Sequence, residues 1–169
     1  METLKTLFMV TALTVGVLMA SCKPEVQREY IVEPCPKADT TSMATKLQRL
    51  KEAGFETFVY QDEASGDSVV MQQYFIAFLK RGPNRSQNKA EADSLQALHL
   101  GHLGKMYELG YADISGPFGD DGDIRGITIY NVPTQQMADS LANLDPMVQA
   151  GRLQIEIHPW WAAKGFPLR

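Results

Sequence analysis

The residues of this chain that could do chemistry near neutral pH are a histidine pair and a distant aspartate. His99 and His102 lie on one predicted helix, and Asp145 stands immediately before Pro146. An imidazole titrates close to neutral pH, and a carboxylate bound to one ring nitrogen would fix its tautomer and raise its pKa. These residue types are the minimum for general acid/base catalysis, so we expect a site within residues 99–151.

The same residues also have purely structural interpretations. A histidine on the apolar stripe of a helix can be buried with its hydrogen bonds satisfied, and Asp145 can cap the short helical turn that Pro146 begins. His99 and His102 could start a metal site, but a metal needs further ligands, and no H-E-x-x-H motif or cysteine cluster supplies them. We therefore expect no metal and no cofactor.

Apolar periodicity predicts the elements that would position these residues. Strands are expected over 69–79, 111–115, 126–130 and 153–157. A capping box from Asn88 to Glu91 begins a helix that Gly110 ends, and Thr134 begins a second helix. Both histidines fall on the apolar stripe of the first helix and should face the sheet.

The element order is βαββαβ, which predicts an α+β protein with the ferredoxin-like, split-βαβ fold. Two helices would cover one face of a four-stranded antiparallel sheet, and residues 158–161 would leave the sheet after the last strand. The helix-free face would otherwise be an exposed apolar patch, so we expect a homodimer that packs sheet against sheet.

With its elements placed, the chain resembles the YCII (YciI-like) family of the dimeric α/β-barrel superfamily. The resemblance covers residues 71–161 and rests on the first strand, His99, Gly110, Gly116-Pro117 and Asp145-Pro146-Met-Val-Gln-Ala-Gly151. It implies a pocket in which His99 is the general acid/base, Asp145 orients it, and the Gly116-Pro117 turn lines the wall. It also implies proton transfer on a small cyclic or enolic substrate.

Four further residues are candidates for the ligand pocket. Arg81 and Asn84 lie in the loop after the first strand, where they could meet an anionic ligand, although a plain surface turn explains them equally well. His102 would line the pocket or fill the core. Trp160 would wall the pocket, pack in the core or seal the dimer. The acidic run over 120–123 lacks the spacing of a calcium loop and is expected to be a solvated connection.

Residues 1–21 have the features of an export signal, because a lysine precedes an apolar run over 7–20 that is too short for a membrane span. The run ends in Leu18-Met19-Ala20-Ser21-Cys22, which resembles the lipobox of bacterial lipoproteins. Cys22 is therefore expected to anchor the protein to the membrane at the bacterial cell envelope. The alternatives are an ordinary cleaved signal and a Cys22–Cys35 disulfide.

The rest of the chain divides into a tether over 22–44, an N-terminal extension over 45–68, a YCII-like domain over 69–161 and a tail over 162–169. A net charge of −4 with scattered basic residues argues against a nucleic-acid partner. We expect small-molecule binding with acid/base catalysis of lyase or isomerase type. The alternatives are a non-catalytic ligand-binding or interaction module, and a structural envelope protein that acts through its N-terminal extension.

Overall fold

The computed structural model describes residues 41–166 and residue 168. The predicted signal over 1–21, the lipidation site Cys22 and nearly all of the predicted tether, with Cys35, lie outside the described residues. No helix within the described residues is long and apolar enough to cross a membrane.

The described chain contains helices and strands in the predicted order. They are preceded by a helix and a strand of the N-terminal extension, where the sequence predicts a short helix over 45–53 and a strand-like segment over 55–60. The helices are α1 (Met43–Glu52), α2 (Lys89–Glu108), α3 (Gln135–Ala142) and α4 (Pro146–Gln149). The strands are β1 (Thr57–Gln61), β2 (Ser68–Arg81), β3 (Ala112–Pro117), β4 (Ile124–Tyr130) and β5 (Leu153–Ala163).

The long strand β2 organises an antiparallel sheet. On one side it pairs with β5 from Met71 to Arg81, and on the other side with β4 from Phe75 to Lys80. β3 pairs with the outer edge of β4. The resulting order, β3-β4-β2-β5, is the ferredoxin-like arrangement, so the predicted α+β fold class is confirmed.

Two details of the predicted sheet are wrong. The sheet has five strands instead of four, because β1 from the N-terminal extension pairs with Ser68–Gln72 of β2, on the edge that β4 leaves open. Residues 158–161 also stay in the sheet, since β5 pairs with β2 as far as Ala163. Pro159 is tolerated because β5 is an edge strand with a single partner, and β2 is long enough to pair with all of it.

The main core lies between the sheet and the helices. Alternate residues of β2, Phe75 and Ala77, face Met106 of α2 and Ala138 and Ala142 of α3. A second, smaller cluster of Leu79, Met147 and Leu153 joins the ends of β2, α4 and β5. This second cluster fixes α4 against the sheet, directly beside the predicted site.

The opposite face of β2 presents the residues that alternate with this core, among them Ile76 and Phe78, which are only half-buried. Trp160 of β5 packs on the same face against Tyr74, with ring centroids 6.2 Å apart. Trp160 is therefore a partly exposed residue of the helix-free face of the sheet. The homodimer predicted for this face stays a prediction.

Candidate active site

The structure brings His99 and Asp145 together. The Nδ1 atom of His99, on α2, lies 2.5 Å from Oδ2 of Asp145, the residue that caps α4. Both side chains are nearly buried, with 10% of the histidine and 4% of the aspartate exposed. A buried, charge-assisted hydrogen bond of this length fixes both side chains in one orientation.

Local structure explains why these two side chains meet. A capping box between Asn88 and Glu91 sets the start of α2, and α2 packs against both β3 and α4. The position of Asp145 is set by α4, because Oδ1 of Asp145 accepts a hydrogen bond of 2.8 Å from the Met147 backbone N–H and so caps this helix. Oδ1 of Asp145 therefore caps α4, and Oδ2 binds the imidazole of His99.

The contact with an ionised Asp145 selects the tautomer of a neutral His99 ring. An ionised carboxylate only accepts hydrogen bonds, so Nδ1 carries a proton and, in the neutral ring, Nε2 carries the lone pair. Nδ1 is engaged by Asp145, which leaves Nε2 as the ring nitrogen available to a bound molecule. His99 can therefore accept a proton from a bound molecule at Nε2 as a general base, and donate it back as a general acid.

His99 lies on the wall of an open cleft with a volume of about 430 Å³. The cleft lies between α2, the paired strands β3 and β4, and the place where β2, α4 and β5 meet. Its lining residues are Leu79, Arg85, Gln96, His99, Leu100, Leu103, Ser115, Gly116, Pro117, Arg125, Gly126, Ile127, Met147, Arg152 and Leu153. The volume lies within the range of small-molecule sites, roughly 300–1,000 Å³.

The predicted site residues divide into two groups. His99, Gly116 and Pro117 line the cleft, and Asp145 lies behind His99. Four predicted pocket residues, Arg81, Asn84, His102 and Trp160, lie outside its lining.

The last residue of β2 and the loop after it use their polar side chains for local structure. Arg81 binds the Asp121 carboxylate at 2.7 Å, and Asn84 donates to the Ala150 carbonyl oxygen at 3.0 Å. Asp121 also accepts a bond from Arg125, so the acidic connection serves as a bridge between arginines.

Three arginines that sequence reasoning did not select line the cleft. Arg85 belongs to the loop that the sequence predicts as a candidate for anion binding, in which Arg81 and Asn84 are the predicted residues. Arg152 directly follows Gly151, at the end of the motif that closes the predicted segment. Arg125 had no sequence signal, because its position on the cleft depends on the pairing of β3 with β4.

His102 lies one turn beyond His99 and plays a different part. Its Nε2 atom is buried and has no hydrogen-bond partner in the described part of the chain. Burial lowers the pKa of His102, and the nearby His99 lowers it further, while Asp145 acts in the opposite direction. The His102 side chain is therefore uncharged at neutral pH. Among the described residues, no group of three or more potential metal ligands is assembled.

The lowered pKa of His102 predicts a pH dependence of folding. A folded-state pKa below the ordinary value of 6.5 means that protonation favours the unfolded chain. The contribution of His102 to stability is full above pH 6.5 and falls as the pH drops through the lowered pKa. His102→Gln should therefore lose less unfolding free energy than wild type between pH 7.5 and 5.5, as measured by urea denaturation. Equal slopes for wild type and His102→Gln would contradict the assignment.

Comparison with known proteins finds structural similarity to solved proteins. No protein-family model matches the chain, and no curated protein matches it. Among solved structures, the chain is similar to 5-chloro-2-hydroxyhydroquinone dehydrochlorinase (TftG) from Burkholderia phenoliruptrix AC1100, in complex with 2,5-dihydroxybenzoquinone. The sequence identity is 21%, the match covers 52% of this chain and 92% of that chain, and the TM-score is 0.39. Membership of the YCII family stays a prediction.

Proposed function

We propose that this protein binds a small cyclic or enolic molecule in the cleft and that His99 transfers a proton on it, in a lyase or isomerase reaction. The observation that carries the proposal is the 2.5 Å contact between His99 Nδ1 and Asp145 Oδ2 on the wall of an open cleft. A satisfied structural histidine needs no cleft beside it, whereas a catalytic base needs both an orienting group and access to substrate.

The chemistry requires only these two side chains. Nε2 of His99 takes a proton from a carbon next to a carbonyl group, and the C–H electron pair moves through the carbonyl to leave an enolate oxygen. If a double bond is conjugated with the enolate, the imidazolium returns its proton to the far carbon of that conjugated system, which gives an isomer. If a leaving group stands on the carbon next to the deprotonated one, the enolate re-forms its carbonyl, a new C=C bond forms as the bond to the leaving group breaks, and the imidazolium gives its proton to the departing group. Asp145 stabilises the imidazolium between the two steps.

The apolar part of the cleft supports a compact carbon skeleton as the ligand. Leu79, Leu103 and Met147 line it together with His99. Such a wall excludes water from the ligand body and strengthens the electrostatic interactions around the imidazole.

The test is solvent exchange on neutral carbon acids. Wild-type protein is incubated in D₂O with cyclohexanone or α-angelica lactone, and loss of the proton next to the carbonyl is followed by NMR. His99→Gln should reduce the protein-dependent rate by about 10²–10⁴-fold, the usual contribution of a general base. His158→Gln is the matched control and should exchange like wild type. Retention of the full rate by His99→Gln, or no protein-dependent exchange in wild type, would contradict the proposed catalysis.

The alternative function is a non-catalytic ligand-binding module. One observation favours it, because Asp145 also caps α4 and the pair therefore has a structural use that is independent of turnover. A carbon acid that raises the melting temperature of wild type without any deuterium exchange would support this alternative.

A further inference from the structure

The charged residues on the cleft wall are all basic. Arg85, Arg125 and Arg152 line it, and no carboxylate is among its lining residues. This local excess of positive charge contrasts with the net charge of −4 for the whole chain. A concave surface lined by one sign of charge attracts ligands of the opposite sign.

The three guanidinium groups differ in whether they form an ion pair with a carboxylate. Arg125 donates to the Asp121 carboxylate at 2.9 Å. Within residues 41–166 and residue 168, neither Arg85 nor Arg152 forms an ion pair with a carboxylate. Arg85 and Arg152 are therefore the cationic groups of the cleft that keep their charge available.

Neutral partners hold these two arginines in place. Arg85 Nη1 donates to the Arg152 carbonyl oxygen at 3.2 Å, and Arg152 Nη1 donates to the Gln87 side-chain oxygen at 3.1 Å. Each guanidinium has further N–H donors that these bonds do not use. The groups are oriented in advance, so less side-chain entropy is lost when they bind a ligand.

The cluster also experiences mutual repulsion. Although Arg85 is an exposed residue, partial burial of its guanidinium lowers its pKa, and the neighbouring Arg152, Arg81 and Arg125 lower it further. A bound anion would relieve that repulsion. A planar carboxylate matches the fork of guanidinium donors, whereas the apolar wall of Leu100, Leu103 and Leu153 offers nothing to a bare inorganic ion.

We propose that the natural ligand is a small carboxylic acid with an apolar ring or chain, whose carboxylate is bound by Arg85 and Arg152 and whose body lies along the apolar wall toward His99. This inference rests on the proposed function only in taking the cleft as the ligand site. It adds a substrate class, because it requires an anionic group at the arginine end of the cleft and a transferable proton at the histidine end.

The experiment compares benzoate with its neutral isostere benzamide by isothermal titration calorimetry on the full folded protein. Wild type should bind benzoate at least tenfold more tightly than benzamide. The preference should fall severalfold in Arg85→Gln and in Arg152→Gln, and should vanish in the double variant. Arg49→Gln, on the exposed face of α1, is the matched control and should keep the preference.

Several results would overturn the proposal. They are equal binding of benzoate and benzamide by wild type, absence of benzoate binding, or a preference that survives in the double variant with wild-type melting behaviour. Inorganic phosphate that competes as tightly as benzoate would also overturn it, because the site would then recognise charge alone. If the double variant melts early, Arg85→Lys provides the test, since it keeps the charge but loses the fork and should reduce the preference by no more than Arg85→Gln does.

The two proposals can fail separately. His99→Gln should keep the preference for benzoate, because the histidine is not the carboxylate-binding group. If the protein exchanges protons of the neutral probes but shows no preference for benzoate, the proposed substrate class is wrong and the proposed catalysis stands. If the protein prefers benzoate but exchanges no protons of the neutral probes, the proposed catalysis is wrong and the proposed carboxylate-binding site stands.

Discussion

Asp145→Asn is expected to slow proton exchange in the cleft by about 10²–10⁴-fold while the protein stays folded. The wild-type carboxylate uses Oδ1 on the Met147 N–H and Oδ2 on the His99 Nδ1. Asparagine has one oxygen and one NH₂ group, so it cannot accept both bonds. If the oxygen keeps the helix cap, the NH₂ group faces Nδ1 and forces the imidazole into the other tautomer.

That change of tautomer is the reason for the large effect. With Nδ1 as the acceptor, Nε2 carries the proton and has no lone pair with which to take one from a ligand. The loss of negative charge also removes the group that stabilises the imidazolium. Exchange into cyclohexanone, followed by NMR over a pH series, measures both effects.

The matched control for this prediction is Asp93→Asn. Asp93 is an exposed residue of α2 that pairs with Lys89, so its loss should change neither exchange nor stability appreciably. A wild-type exchange rate in Asp145→Asn, measured on protein with native circular dichroism, would show that the aspartate does not orient the base.

Gly82→Ala should lower the unfolding free energy by about 3 kcal/mol or more, the largest stability effect that we expect of any single methyl group added. Gly82 follows β2, where its N–H donates to the Arg152 carbonyl at 3.0 Å. A Cβ atom at this position would lie 2.2 Å from the Gly151 carbonyl oxygen and 2.6 Å from the Arg152 carbonyl carbon. Both neighbours are backbone atoms, so no side-chain rotation can relieve the clash.

Urea denaturation followed by circular dichroism measures this loss, and Gly101→Ala provides the control. Gly101 lies within α2, and a Cβ atom there meets nothing within 4 Å. Alanine at this exposed helical position should raise the unfolding free energy by about 0.5–1 kcal/mol. An unchanged urea midpoint for Gly82→Ala would mean that the approach of the two backbone segments is not needed for folding.

The close approach at Gly82 also matters for the candidate site. It holds the loop after β2 against the turn between α4 and β5, and this contact brings Arg85 beside Arg152. Gly82→Ala should therefore weaken benzoate binding as well as stability, which links the fold to the proposed ligand.

The order of elements in the domain could be predicted because its signals are local. The capping box at Asn88, the left-handed Gly110 after α2 and the Thr134 cap of α3 all depend on residues close in sequence. The additions to the sheet could not be predicted in this way. Whether β1 and the second half of β5 pair with β2 depends on the length of β2 and on which of its edges stay open, and these are long-range properties.

The candidate site likewise combines features that the sequence predicts with features that long-range packing sets. The sequence by itself determined the chemistry that is available, namely a helix histidine on an apolar stripe and an aspartate before a proline. Only the tertiary structure decided that His99 meets Asp145 at 2.5 Å, while the Nε2 atom of the half-buried His102 has no hydrogen-bond partner among the described residues. Only the tertiary structure, likewise, gathered three arginines from separate segments onto one wall. The physical reason is that periodicity fixes the face of a helix, whereas distances across the fold are set by packing and by close backbone contacts such as the one at Gly82.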